Sequence, residues 1–331
     1  MSAPLNINQA ADLVDLSIQK VFQKTADPEV VYSKYFNLRS TEDYYEKDSS
    51  LSGLTQADFV DENGVIFSDV PVQGYKKTYT QNMVGIIVSF TFQMWKFGIK
   101  KRDLTNVAKQ LKNSIAQVKE QLCAERIDNA FSTSYTHNGP SGNKTMTISG
   151  GDGLAVASNV HTREDGGANM NNIVYDGTTY NLPFDYAGVK AAYRTAGLMV
   201  DPRGNPMIPN LDRLIVKKNS ANHFKAKEIL KAIKDGKIPE SNDNDGSGVN
   251  SFEIIPVAWI QNSNYWAMFD STMMQDEYGF QFVESQAASV DPVNIVYKTK
   301  EIQTSAITLF DLGANDCARN IVFSKADSTT P

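Results

Sequence analysis

Residues Asp103 to Phe131 read DLTNVAKQLKNSIAQVKEQLCAERIDNAF. Apolar side chains recur at Leu104, Val107, Leu111, Ile115, Val118, Leu122 and Ile127. Steps of three or four place them on one helical face. Asp103 is a good N-cap, because its carboxylate can accept from the free N–H groups of the first turn. No Gly or Pro interrupts the run. At roughly 1.5 Å per residue the helix is about 40 Å long. A rod of that length is a girder, and whatever else the chain forms must be laid along it.

The rest of the chain is large enough to cover such a girder. It has 331 residues, 41% of them hydrophobic, which suffices for a substantial core and about two domains. The formal charge of −6 argues against a protein that coats nucleic acid by neutralising phosphates. Two cysteines, Cys123 and Cys317, do not make a disulfide framework. Cys123 falls inside the helix and reads as a small buried hydrophobe in a reducing cytoplasm. The start MSAPLNINQAADL lacks the basic-then-apolar pattern of a signal peptide. No window reaches the ~20 apolar residues of a membrane span. A soluble chain made in the cytoplasm is therefore expected.

Taken in order, Ala10 to Phe22 is an amphipathic helix capped by Asn8. Residues 25–58 are mixed and tyrosine-rich, an arm more than a domain. Asn63-Gly64 sits between Phe59-Val60 and Val65-Ile66, the preferred two-residue hairpin signal. Alternate positions Val84, Ile86, Val88, Phe90, Phe92 and Met94 are apolar, the period of a strand with one buried face. Residues 55–94 thus read as a two-stranded excursion leading into the girder. Asp176-Gly177, between Ile173-Val174-Tyr175 and Thr178-Thr179-Tyr180, is a second hairpin signal. Helices are expected over Asp185–Ala196, ended by Gly197, and over Ser220–Asp235. Strands are expected at Thr145–Ile148, Leu214–Val216, Phe252–Trp259, Tyr265–Phe269, Gly279–Val283 and Ile321–Phe323. Val293–Phe310 reads as two strands broken near Thr299.

A catalytic constellation does not emerge. Of the three histidines, His137, His161 and His223, only His161 lies near acids (Asp152, Glu164, Asp165), and a solvated loop histidine is the expected outcome. Gly150-Gly151-Asp152-Gly153 lacks the rest of a phosphate-binding loop and reads as a turn. Asp243, Asp245 and Gly246 match the middle of a calcium loop. Its first and twelfth positions are Ser241 and Phe252, so both strong ligands fail. Lys76-Lys77 is a basic pair on the excursion. What remains is architecture: an arm, an excursion, a girder and an α/β lobe. Arms and excursions bury little against their own domain, so they make sense where other subunits supply the missing contacts.

The ordered landmarks of the chain resemble a known family. They are Ile127-Asp128-Asn129-Ala130-Phe131 at the end of the girder and Gly153-Leu154 with Ser158 and His161. They continue with Pro206 to Val216, Phe252-Glu253-Ile254-Ile255-Pro256, Tyr265 to Asp270 and Gly313 to Arg319. In that order they resemble the major capsid proteins of tailed bacteriophages, of the Hong Kong ninety-seven type fold, nearest to Mu-like major head proteins. The resemblance implies an α+β fold. Residues 1–54 would be an N-terminal arm and 55–94 a β-hairpin E-loop. Residues 95–183 would be a peripheral domain with a long spine helix, 184–292 an axial α/β domain, and 293–331 a return to the peripheral domain. It implies no enzyme and no cofactor. It implies pentamers and hexamers in an icosahedral shell around double-stranded DNA, held without sequence-specific binding, and assembled in the host cytoplasm into the virion capsid. A separate scaffolding protein or none, and a portal protein, are the implied partners, with no membrane. Candidate assembly contacts are Asp69, Gly74, Tyr75, Lys76 and Lys77 on the excursion, and Asp243, Asn244 and Asp245 in the polar loop. Alternatives are an encapsulin-type nanocompartment shell, or a soluble α+β ligand-binding protein or hydrolase.

Overall fold

The computed structural model describes residues 18–25, 28–51, 54, 57–60, 64–71, 73–91, 93–94, 101–164, 166–235, 250–275, 278–296 and 298–329. The strands are β1 (Asn37–Ser40), β2 (Tyr45–Leu51), β3 (Gln73–Thr80), β4 (Asn82–Phe90), β5 (Ser134–Gly139), β6 (Gly142–Thr147), β7 (Arg213–Lys217), β8 (Glu253–Val257), β9 (Trp266–Phe269), β10 (Gly279–Val290), β11 (Asn294–Val296), β12 (Glu301–Asn315) and β13 (Ile321–Ser324). The helices are α1 (Lys101–Asp128), α2 (Tyr186–Ala196), α3 (Ala221–Lys234) and α4 (Ser271–Gln275). Residues 18–24 are also helical, with Ile18 and Phe22 buried. The rest of the expected first helix, from Asn8, lies outside the described residues.

The girder is α1. Its first half lays Ala108, Leu111 and Ile115 on β4 and β12, beside Phe90, Ile302 and Ala306. Its second half sends Leu122, Cys123, Ala124 and Ile127 into the main core, where Phe280, Phe282, Phe310 and Leu312 of β10 and β12 meet them. Two charged residues of α1, Lys119 and Arg126, are buried as well. Lys119 is buried, and its ammonium lies 2.5 Å from Glu284 and over the rings of Phe282 and Phe310. The next residue, Glu120, accepts the N–H groups of Val31 and Tyr32 and so ties the arm to the girder.

Two sheets carry the rest. In the first, β12 is central: β10 and β11 pair on one side, β4 on the other, and β1 runs parallel to β10. Alternation along β12 is complete from Glu301 to Phe310, with every second residue buried, as a period-two strand with one core face requires. The second sheet has the order β13-β9-β7-β8. One of its faces joins the main core, and the other packs on α2 and α3 through Val189, Ala192, Leu214, Ala226 and Trp266. Asp185 caps α2 by accepting from Gly188 N–H at 2.7 Å, and Ser220 caps α3 by accepting from His223 N–H. Both starts follow from local chemistry.

Several expectations need correction. Val84 to Met94 is not a limb of the excursion. β4 pairs with β12, and Met94 sits in a short helical turn instead. The limb is β3, and its partner β2 comes from the stretch expected to be arm. Asn63 lies outside the described residues, and 57–60 and 64–71 form no strand. Asp176-Gly177 turns the chain, but Tyr175 opposes Tyr180. Two extra residues enter because Asp176 accepts the Thr178 and Thr179 N–H groups, the turn habit of a short acidic side chain. Gly197 does end α2, in a right-handed conformation, φ −66°. The boundary expected at 292 falls within one sheet, since β10 and β12 are neighbours. β13, expected with the peripheral part, completes the sheet of the α/β lobe.

Candidate assembly surfaces

The β2–β3 ribbon is fastened to the rest of the molecule at many points. Arg39 binds Glu46 at 2.6 Å and Asp48 at 3.1 Å, and Asp48 also accepts from Asn315. Tyr79 is fully buried with its ring on Gly313, where any Cβ would collide with it. Thr80 N–H donates to Asp311 at 2.8 Å. Burial pushes the Asp311 carboxyl above its ordinary range, against the pull of its two backbone donors, Thr80 and Leu312.

The tip is the opposite. Phe59 and Val65 are 102% and 95% exposed, and Ile66, Phe67 and Val70 are also open to solvent. Covering such a side chain is worth about 1.5–3 kcal/mol. Consecutive exposed apolar residues of this kind mark interaction sites.

Five of the expected contact residues lie on or beside this ribbon, and the structure gives them different work. Asp69 forms an ion pair with Arg203 at 3.0 Å, and Arg203 also donates to the Val70 carbonyl at 2.6 Å. Gly74 is half-buried within β3. Tyr75 packs its Cβ against Gly151 and donates its hydroxyl to the Thr162 carbonyl at 2.7 Å. Lys76 is exposed, opposite Ser49. Lys77, opposite Asp48, donates to the Ser149 carbonyl at 2.6 Å. Burial and the nearby Arg126 charge pull its ammonium pKa down. Lys76 alone of these five turns outward without a described contact to a distant part of the chain. Asp243, Asn244 and Asp245 lie outside the described residues.

Beneath the ribbon is a polar cluster that the sequence reading missed. His161 is not a solvated loop residue: it is 3% exposed, and its Nδ1 lies 2.6 Å from Asp152 Oδ2. Burial alone would raise the Asp152 carboxyl. The His161 hydrogen bond and charge, with the Leu154 N–H, outweigh it and bring it below the usual range. Arg319, fully buried, binds Asp316 and Glu164 and donates to the Val200 carbonyl at 3.1 Å. It thereby joins the end of β12, the 161–164 loop and the α/β lobe. Local spacing already sets Asp152 and Glu164 near His161, but Asp316 and Arg319 arrive from the far end of the chain, and no spacing announces them. Among the described residues, no group of three or more His, Cys, Asp or Glu could hold a metal ion. No described helix is long and apolar enough to cross a membrane.

No family model and no curated protein matches this sequence. Solved structures do match its shape. A chain from the capsid of an empty GTA particle aligns over 97% of this chain and 98% of its own, with TM-score 0.52 and 10% identity. One from the capsid of a native GTA particle aligns over 91% of each, with TM-score 0.51 and 9% identity. A chain from Mycobacterium phage Cain aligns over 99% of this chain and 100% of its own, at 15% identity and TM-score 0.48. The α+β architecture described above is thus the fold of those GTA-particle capsid chains.

Proposed function

We propose that this chain, with its phage-type capsid fold, is a major capsid (head) protein of the Hong Kong ninety-seven type, resembling Mu-like head proteins. It self-assembles into pentamers and hexamers that form an icosahedral shell enclosing phage double-stranded DNA. The observation that carries this reading is the excursion. A well-anchored ribbon presents apolar side chains that its own subunit does not cover. Covering five such residues is worth on the order of 10 kcal/mol. Fixing one subunit on another costs about 4–15 kcal/mol. One contact is therefore marginal, and stability comes from many contacts made together, as closed symmetric assemblies require.

In this reading the arm, the E-loop and the polar 243–245 loop make subunit contacts, and α1 is the spine of the peripheral domain. The net charge of −6 suits a container that does not grip its DNA through phosphate neutralisation. A separate scaffolding protein and a portal protein complete the assembly in the host cytoplasm, and the product is the virion capsid. The chain performs no catalysis in this role.

Electron microscopy of the purified chain, with size-exclusion chromatography, tests the reading. Closed shells, or discrete pentamers and hexamers, are expected. A monomer that persists across concentration, salt and added scaffold would overturn it.

A further inference from the structure

The α/β lobe carries a charge that the rest of the chain does not. Residues 217–235 hold Lys217, Lys218, Lys225, Lys227, Lys231 and Lys234 against Glu228 and Asp235, a charge of +4. The whole chain is −6, so all its other residues together carry −10. One short stretch of a strongly acidic molecule is basic.

α3 sets these charges in line. Lys227, Lys231 and Lys234 follow one another by four and three residues, the steps of one helical face, and all three are exposed, with Phe224 beside them. From Lys227 to Lys234 the ridge is about 10 Å long. Lys218 and Lys225 flank it and are exposed as well. Lys217 is engaged, donating to the Gln261 carbonyl at 2.7 Å. Among the described residues no ion pair holds the other five. Lys227 lies over the Phe224 ring, 5.9 Å from its centre. The positive field is felt beneath the ridge. Burial first, then the charges of Lys227 and Lys218, pull the His223 imidazole pKa down.

Helix stability does not account for this ridge. Lys231 and Lys234 do suit the last turn, where the dipole favours cations. Lys218 stands just before the N-terminus, where the dipole opposes a cation, and the first turn has no acid to offset it. Lys227 and Lys231, four apart, repel each other. An anion from outside relieves both conflicts. The make-up of the ridge narrows which one. It has no arginine, so it lacks the planar fork that grips carboxylates or base edges in fixed geometry. Protein–protein interfaces are depleted in lysine and enriched in arginine. Point charges on flexible stems suit a row of phosphates, met without regard to sequence.

We infer that the Lys227–Lys231–Lys234 ridge of α3, with Lys218 and Lys225, is a contact strip for the phosphate backbone of duplex DNA. That the polyanion is duplex DNA rests on the shell reading. The surrounding negative charge confines the contact to this strip. It is therefore weak and salt-labile, and holds a duplex near the lobe while leaving it able to slide.

Fluorescence anisotropy of a labelled duplex of about 20 base pairs, titrated with the full-length chain from about 50 to 200 mM salt, tests the strip. Log affinity is expected to fall against log salt with a slope of about −4, roughly −0.9 for each lysine engaged. Lys227→Gln with Lys231→Gln keeps good helix formers at exposed positions, so the variant is expected to fold. It should flatten the slope by about 2 and weaken low-salt binding roughly tenfold or more. Lys109→Gln with Lys298→Gln removes the same charge at exposed positions elsewhere and should leave the slope as it is. A slope that ignores the ridge variant, or that both variants flatten equally, would overturn the strip. Polyglutamate competing better than unlabelled duplex would overturn the assignment to DNA and turn the ridge toward an acidic protein. Shells that form from a chain whose duplex binding ignores the ridge sink this inference alone. Ridge-dependent binding by a chain that never assembles sinks the shell reading alone.

Discussion

Tyr79 and Phe59 lie on the same excursion and have opposite fates. Tyr79 is fully buried, its ring seated on Gly313, while Phe59 is 102% exposed. Around Tyr79 the ribbon is stitched to β1, β12 and the 149–162 loops by side-chain hydrogen bonds and ion pairs. Around Phe59 no described contact of that kind reaches the body of the molecule. The base answers to the stability of one subunit. The tip is uncovered by its own subunit, and in the proposed shell a second molecule would cover it. A hydrophobic residue therefore carries no single meaning along this ribbon, since in that reading its role is set by which chain it packs against.

The contrast predicts a graded set of stability changes measured on the single subunit. The largest belongs to the cluster beneath the base. Arg319→Met leaves Asp316 and Glu164 buried without their partner. Thermal or denaturant unfolding is expected to show a loss of about 3–5 kcal/mol, the cost of stranding one side of a buried ion pair. A loss under half a kilocalorie would break the distinction between base and tip.

Next comes Gly313→Val, which drives a side chain into the Tyr79 ring. Overpacking of this kind costs about 1–3 kcal/mol, and Tyr79→Ala in the same background should relieve part of the clash, a coupling that a double-mutant cycle reads directly.

A smaller effect is expected from pH. The folded chain binds the Asp152 proton more weakly than the unfolded chain does, because His161 holds the carboxylate. That contribution is complete above the ordinary value of 3.8 and is lost as pH falls through the lower folded value. Unfolding midpoints followed down through the carboxylate range should fall less steeply in Asp152→Asn than in the parent. Parallel acid limbs would remove Asp152 from the cluster's energetics.

The smallest change is at the tip. Phe59→Ser should alter subunit stability by no more than about 0.5 kcal/mol, while light scattering shows weakened assembly. Together these two results sharpen the contrast, since one residue is then silent in folding and decisive between subunits.

Much of the fold was legible where the rules are local. The apolar stripe of α1, the Asp185 and Ser220 caps and the alternation of β12 each depend on neighbours a few residues away. Pairing was not legible in the same way. The partner of β3 is β2, and the partner of β4 is β12, and two strands of similar alternation do not state which edge they meet. The buried state of His161 was invisible for a related reason. Asp152 stands among glycines and His161 in a polar loop, and residues from elsewhere, Tyr75, Cys317 and Ala318 among them, enclose them. Of the expected contact residues, the sequence set five on or beside one ribbon. It did not foresee that Asp69, Tyr75 and Lys77 would be bound to their own subunit.

One feature of the first sheet reaches into how the molecule is made. Thr80 and the carboxylate that receives its N–H are 231 residues apart, and among the described residues β12 is the only bridge between β4 and β10. Until β12 arrives, both of those strands stand with open apolar edges, beside an excursion that never closes. Pairings this distant in sequence form slowly. A newly made chain thus passes through a period in which it is adhesive before it is shaped. Refolding from denaturant is accordingly a race between completing this sheet and clumping, with a yield that falls as protein concentration rises.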